Sequence, residues 1–143
     1  MDKILHIKKR RDFLRVAEGI RMVVSTVILQ AAPNLSDKKR PFRVGYTTTK
    51  KIGKAVVRNR TRRRLRAAVQ EVFPSRALEN IDYVLIGRYT TSVCSFKELK
   101  SDLKWALKKA NAMIEKGILK SPPPPQKVEE EQTDEQINEV LVN

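Results

Sequence analysis

Lys50-Lys51-Ile52-Gly53-Lys54-Ala55-Val56-Val57-Arg58-Asn59-Arg60-Thr61-Arg62-Arg63-Arg64-Leu65-Arg66 gathers nine of the chain's 30 basic residues into 17 positions. Through it runs an apolar series, Val57, Thr61, Leu65, Ala68, Val69 and Val72, at spacings of three and four. That period predicts one buried face of a helix that begins after Gly53 and ends near Phe73-Pro74. A solvated helix usually mixes signs so that residues four apart pair, yet no acid stands between Lys50 and Glu71. Such a run is self-repelling until an external anion neutralises it. At about 100° per residue, Arg60, Arg63 and Arg64 lie on the flank opposite Leu65, with Asn59 and Arg66 to one side. Arginine, rather than lysine, dominates here, and its planar guanidinium grips phosphate through two parallel bonds and stacks on bases. Arg58 falls near the apolar stripe and is placed at the helix start, where free backbone N–H groups also favour phosphate.

Outward from this helix, the chain alternates strand and helix signals. Asp12 can cap a short helix through Phe13, Leu14, Val16 and Ala17, ended by Gly19. Met22 to Ala31 reads as one strand stopped by Pro33-Asn34, and Phe42 to Thr49 as a second. Asp82 to Tyr89 is a third, with the compact apolar run Tyr83-Val84-Leu85-Ile86. Ser95 can cap a long helix through Leu99, Leu103, Leu107, Ala110 and Ile114, closing near Gly117. The order α-β-β-α-β-α implies an α/β sandwich, with room for one further short strand. Residues 1–119 form one domain; residues 120–143 read as a Pro-rich linker and an acidic tail without stable structure.

Charge narrows the partners. The formal net charge is +14, and the acids are unevenly spread: 10 acids face 29 basic residues up to position 120, and six face one lysine after it. A polyanion is the expected partner of the body. The longest apolar run, Met22 to Ala32, is interrupted by Ser25, Thr26 and Gln30 and is too short to span a bilayer. The first twelve residues lack the apolar block of a secretory signal, so a cytoplasmic location is expected. A single cysteine, Cys94, and a single histidine, His6, leave no internal disulfide and little basis for a metal cluster or a catalytic triad. Gly53-Lys54 is not a nucleotide-binding P-loop, because Ala55 stands where that motif needs Ser or Thr.

The run from Lys50 to Arg60, followed by Arg62-Arg63 and Arg66, closely resembles the signature of the bacterial ribonuclease P protein family. Asp12-Phe13, Arg43-Val44-Gly45, Asp82 to Ile86 and the closing Leu-rich helix support the resemblance, which covers roughly residues 5–116. It implies a ribosomal-protein-like fold, a small sheet with helices packed on it and a left-handed β-α-β crossover. It also implies a subunit of the ribonucleoprotein that removes the 5′ leader from precursor tRNA. Catalysis then belongs to the RNA subunit and to magnesium bound mainly by that RNA, with no catalytic side chain and no metal held by the protein alone. The expected contacts with the catalytic RNA are Lys54, Arg58, Asn59, Arg60, Arg62, Arg63 and Arg66. A cleft with Phe13, Ile28, Gln30, Thr49 and Lys51 is expected to hold the single-stranded leader, although Phe13 reads equally well as core. Ala17 and Gln30 depart from the family's pattern, which often has aromatics at those places. No membrane and no obligate protein partner is expected. The rival reading is a ribosomal protein or general RNA chaperone, which shares charge and fold type; DNA recognition or a self-sufficient nuclease is weaker, for want of a helix-turn-helix or a carboxylate cluster.

Overall fold

The computed structural model describes residues 4–119. The expected linker and acidic tail, residues 120–143, therefore lie outside the described residues. In chain order the elements are β1 (Leu5–His6), α1 (Arg10–Ala17), β2 (Ile20–Val23), β3 (Val27–Pro33) and β4 (Arg43–Thr47). A 3-10 turn at Lys50–Ile52 leads into α2 (Ala55–Val72), and β5 (Ile81–Gly87), α3 (Tyr89–Val93) and α4 (Phe96–Glu115) complete the fold. The sheet order is β1-β4-β5-β3-β2. Strand β4 runs parallel to both β1 and β5, whereas β3 is antiparallel to β5 and to β2. Strands β4 and β5, joined through α2, form the parallel β-α-β unit.

Three layers follow from the two-residue period of the central strands. Val27, Leu29 and Ala31 of β3, with Tyr83 and Leu85 of β5, pack against Leu65, Val69 and Val72 of α2 and Leu99, Leu103 and Leu107 of α4. The alternate residues, Ile28, Ala32, Val84 and Ile86, pack against Phe13 and Val16 of α1. Strands covered on both faces need apolar side chains at nearly every position, which is why β3 and β5 read as continuous apolar runs.

Several boundaries differ from the sequence expectation. The single strand at Met22 to Ala31 is a hairpin, with Val24 N–H donating to the Val27 carbonyl at 3.0 Å. Its turn carries no Gly, Pro or Asn; it is held from outside, by the Asp102 carboxylate on Thr26 N–H and Oγ1 and by Thr91 Oγ1 on the Thr26 carbonyl. Asp12 is not the cap of α1: Lys9 stands at that position and Asp12 lies in the first turn, paired with Arg15 and Arg43. The third expected strand stops at Gly87, and Tyr89 opens α3 instead. The β2–β3 hairpin supplies the further short strand, giving three strands between α1 and α2, whereas the short β1 ahead of α1, paired with Arg43 and Val44, was not expected.

The long helices behave as expected. Ser95 Oγ accepts from Glu98 N–H at 3.0 Å, and α4 ends in a Schellman motif, with Gly117 at φ +83° and Ile118 N–H reaching back to the Met113 carbonyl.

Candidate nucleic-acid interface

Helix α2 is anchored by its buried side, Thr61, Leu65, Ala68, Val69 and Val72, so its outward side chains are presented from a rigid mount. Gly87 lets the helix sit close to β5, since a side chain there would meet Thr61 Cγ2 at 2.4 Å. The arginines divide into groups. Arg60 Nε and Arg64 Nη1 both donate to the Ser92 carbonyl oxygen at 3.0 Å, and Arg64 also reaches the Cys94 carbonyl. Arg62 bridges Thr48 Oγ1 at 2.8 Å and Asn59 Oδ1 at 2.6 Å. The Arg66 guanidinium lies 5.6 Å over the Tyr46 ring. Arg63 is exposed and has no partner among the described residues. Lys54 occupies the exposed N-cap position, and Arg58 is half-buried in the first turn. The wheel that groups Arg60, Arg63 and Arg64 thus misses that two of them clasp α3 while the third stands free.

Of the five residues assigned to the cleft, Lys51 is exposed and the other four are buried. Phe13 and Ile28 belong to the small core beneath α1. Phe13 also lines a pocket of about 200 Å³ shared with His6, Gly45, Tyr46, Arg62 and Arg66, so the structure brings one cleft residue and two helix arginines together. Gly45 makes this possible, because a Cβ there would lie 2.7 Å from Phe13 Cε1. Gln30, on the α1 face of β3, is 1% exposed, and neither its amide nitrogen nor its oxygen has a partner. Thr47 Oγ1, on the same face of β4, is likewise buried without one. An unmade hydrogen bond at a buried amide costs about 1–3 kcal/mol. Stability alone does not explain keeping these groups.

Sequence reasoning passed over a second basic surface. A basin of about 620 Å³ is walled by Lys8, Lys9, Arg11, Arg40 and Arg43. Its signal, Lys8-Lys9-Arg10-Arg11, was present in the sequence, but Arg40 arrives only through the fold. Beneath it, buried Asp82 accepts from Arg43 Nε at 2.9 Å and Nη2 at 2.7 Å, from Asn34 at 3.1 Å, and from Arg15. Burial alone would raise the Asp82 carboxyl, but the donors Arg43, Asn34 and Arg15 more than offset it and hold the group below its ordinary value. Arg43 is pushed the other way, chiefly by its hydrogen bond to Asp82. Among the described residues, no three His, Cys, Asp or Glu side chains are grouped to hold a metal ion, and no helix is long and apolar enough to cross a membrane.

A three-layer α/β domain carrying an arginine helix whose one acid, Glu71, stands beyond the basic run and pairs with Lys100, beside a seam of unpartnered polar groups, is the build of a small RNA-binding protein. Residues 1–111 match the family model described as Ribonuclease P. The ribonuclease P protein component of Gluconacetobacter diazotrophicus is 48% identical over 110 residues, covering 76% of this chain and 93% of that one. That of Paramagnetospirillum magneticum is 44% identical, covering 81% and 90%. Among solved structures, the RNase P protein of Staphylococcus aureus superposes with a TM-score of 0.62 at 28% identity, covering 76% of this chain and 96% of its own. The RNase P protein of Thermotoga maritima gives 0.62 at 25% identity, covering 73% and 96%. The chain belongs to the ribonuclease P protein family.

Proposed function

We propose that this chain is the protein subunit of a ribonuclease P ribonucleoprotein that removes the 5′ leader from precursor tRNA in the cytoplasm. The observation that carries this reading is α2: a run of arginines from Arg58 to Arg66 with no acid among them, on a helix rigidly seated on the sheet, within a chain of this family. Lys54, Arg58, Asn59, Arg60, Arg62, Arg63 and Arg66 bind the catalytic RNA. The leader runs past Lys51 and Thr49 along the α1 side of the sheet, where the buried Phe13, Ile28 and Gln30 form the floor beneath its path. Gln30 supplies an amide able to pair with a base edge, while backbone and stacking contacts tolerate varied leader sequence. The bond is broken by the RNA and its magnesium ions, and the protein contributes charge neutralisation and positioning. No other protein is required for the assembly.

Reconstitution tests this. Adding the purified chain to ribonuclease P RNA at low magnesium should stimulate leader removal, and the protein by itself should not cut. No stimulation would return the chain to the class of general RNA chaperones.

A further inference from the structure

At the far end of α2 from its basic motif lies a groove of about 740 Å³ between α4 and the segment that follows α2. Phe73 stands seven residues beyond Arg66, the motif's last arginine, about 10 Å along the axis at 1.5 Å per residue, and none of the motif's arginines lines the groove, so this surface is separate from the arginine helix face. We propose that the groove is a second site for single-stranded RNA, in which a base stacks on Trp105 and phosphates rest on Lys104, Lys108 and Arg76.

Trp105 is the chain's only tryptophan and is 50% exposed. Helix α4 does not need it for folding, because Leu99, Leu103, Ala106, Leu107 and Ala110 already fill the core-facing stripe. An indole normally contributes a large buried area, so leaving it half in water favours a role for its flat face. Its surroundings are cationic. Lys109 Nζ lies 5.8 Å over the ring, and Lys104, Lys108 and Arg76 line the groove with Glu115 as the one acid. Arg76 bonds only to the Val72 carbonyl and Ser75 Oγ, so no described carboxylate neutralises it. The nearby acids are committed elsewhere: Glu71 to Lys100 and Asp102 to Thr26.

The floor is rigid. Tyr83 Oη donates to Asn111 Oδ1 at 2.7 Å and accepts from Leu78 N–H at 2.9 Å, while Asn111 Nδ2 donates to the Arg76 carbonyl at 2.8 Å. This network fixes the two walls against each other before any ligand arrives. An aromatic face among cations in a preformed groove is the chemistry of sequence-tolerant single-strand binding.

A lone tryptophan makes the test direct. An unstructured ten-nucleotide RNA titrated into the full chain at low salt should quench Trp105 emission. Charge reversal in K104E/K108E should weaken that quenching event on the order of tenfold, and lower its salt slope by about 1.4 units at roughly 0.7 per single-strand phosphate. The R63A variant should leave it unchanged. The proposal fails if anisotropy of a labelled oligonucleotide saturates while tryptophan emission stays constant. It also fails if emission shifts with salt in the absence of RNA and changing Glu129, Glu130 and Glu131 to Gln abolishes that shift, since the acidic segment of the same chain would then be the occupant. The inference rests on the proposed RNA role only for the source of the strand. Because the probe contains no ribozyme, failure here and failure of leader removal are separable.

Discussion

Arg60 Nε donates to the Ser92 carbonyl oxygen at 3.0 Å, which ties the basic motif of α2 to the end of α3. Arg63, three residues on, has no such tie. One arginine therefore spends part of its hydrogen-bonding capacity on the fold, and the other is wholly available to a polyanion.

Replacing each with alanine should separate the two roles. Arg63→Ala should lower the salt slope of binding to ribonuclease P RNA by about one unit with an unchanged melting temperature. Arg60→Ala should lower the slope similarly and also cost about 0.5–1.5 kcal/mol of stability, the usual worth of one hydrogen bond. Binding at several salt concentrations and thermal unfolding of both variants check this. Identical melting of the two would mean that the α3 clasp contributes nothing.

Gln30 offers the opposite balance. Its buried amide makes no internal hydrogen bond, so Gln30→Leu, nearly equal in volume, should raise stability by about 1 kcal/mol. The same change should weaken affinity for precursor tRNA with a leader and leave mature tRNA unaffected. Urea unfolding gives the first quantity and paired binding measurements the second. Higher stability with undiminished preference for the leader would remove Gln30 from the leader's path.

How much of this could be read from residues alone depends on where each signal resides. Helices α2 and α4 were legible because their apolar periods, the Ser95 cap and the Gly117 stop are all local. The β2–β3 hairpin was not: its turn, Ser25-Thr26, is held by Asp102 and Thr91, more than 60 positions away. The basic motif announced itself by density, but its division into clasping and free arginines depends on the Ser92 and Cys94 carbonyls, which spacing cannot reveal. The cleft residues were nameable only through the family resemblance. That Gln30 lacks a partner is a property of three dimensions.

Gly45 and Phe13 form a tight pair, and a Cβ at Gly45 would also lie 3.3 Å from Ile7 Cβ. Gly45→Ala should cost about 1–3 kcal/mol as the ring and α1 shift outward, the usual range for overpacking. In a Phe13→Leu background the shorter side chain withdraws, and the same change should cost markedly less. A double-mutant cycle of unfolding free energies measures the coupling. Additive costs would show that the clash is relieved elsewhere.

Asp82 should govern the acid limb of stability. Its carboxylate is fully buried and accepts four hydrogen bonds, from Arg43, Asn34 and Arg15, which together hold it below its ordinary value despite the opposing effect of burial. A group depressed in the folded state stabilises fully above its unfolded value, about 3.9 for Asp, and that contribution is lost as pH falls through the lower folded value. Asp82→Asn keeps the shape but leaves Asp12, at 3.4 and 3.6 Å, as the one described carboxylate facing Arg15 and Arg43. At neutral pH the variant should lose about 3 kcal/mol, the lower end for breaking a buried pair. As pH falls below the unfolded carboxyl's value, about 3.9, the unfolded state takes up the proton first and the gap between the two proteins should narrow. Urea unfolding from pH 7 to pH 3 tests this, and parallel stability curves for the two proteins would show that the Asp82 charge contributes nothing to the acid limb.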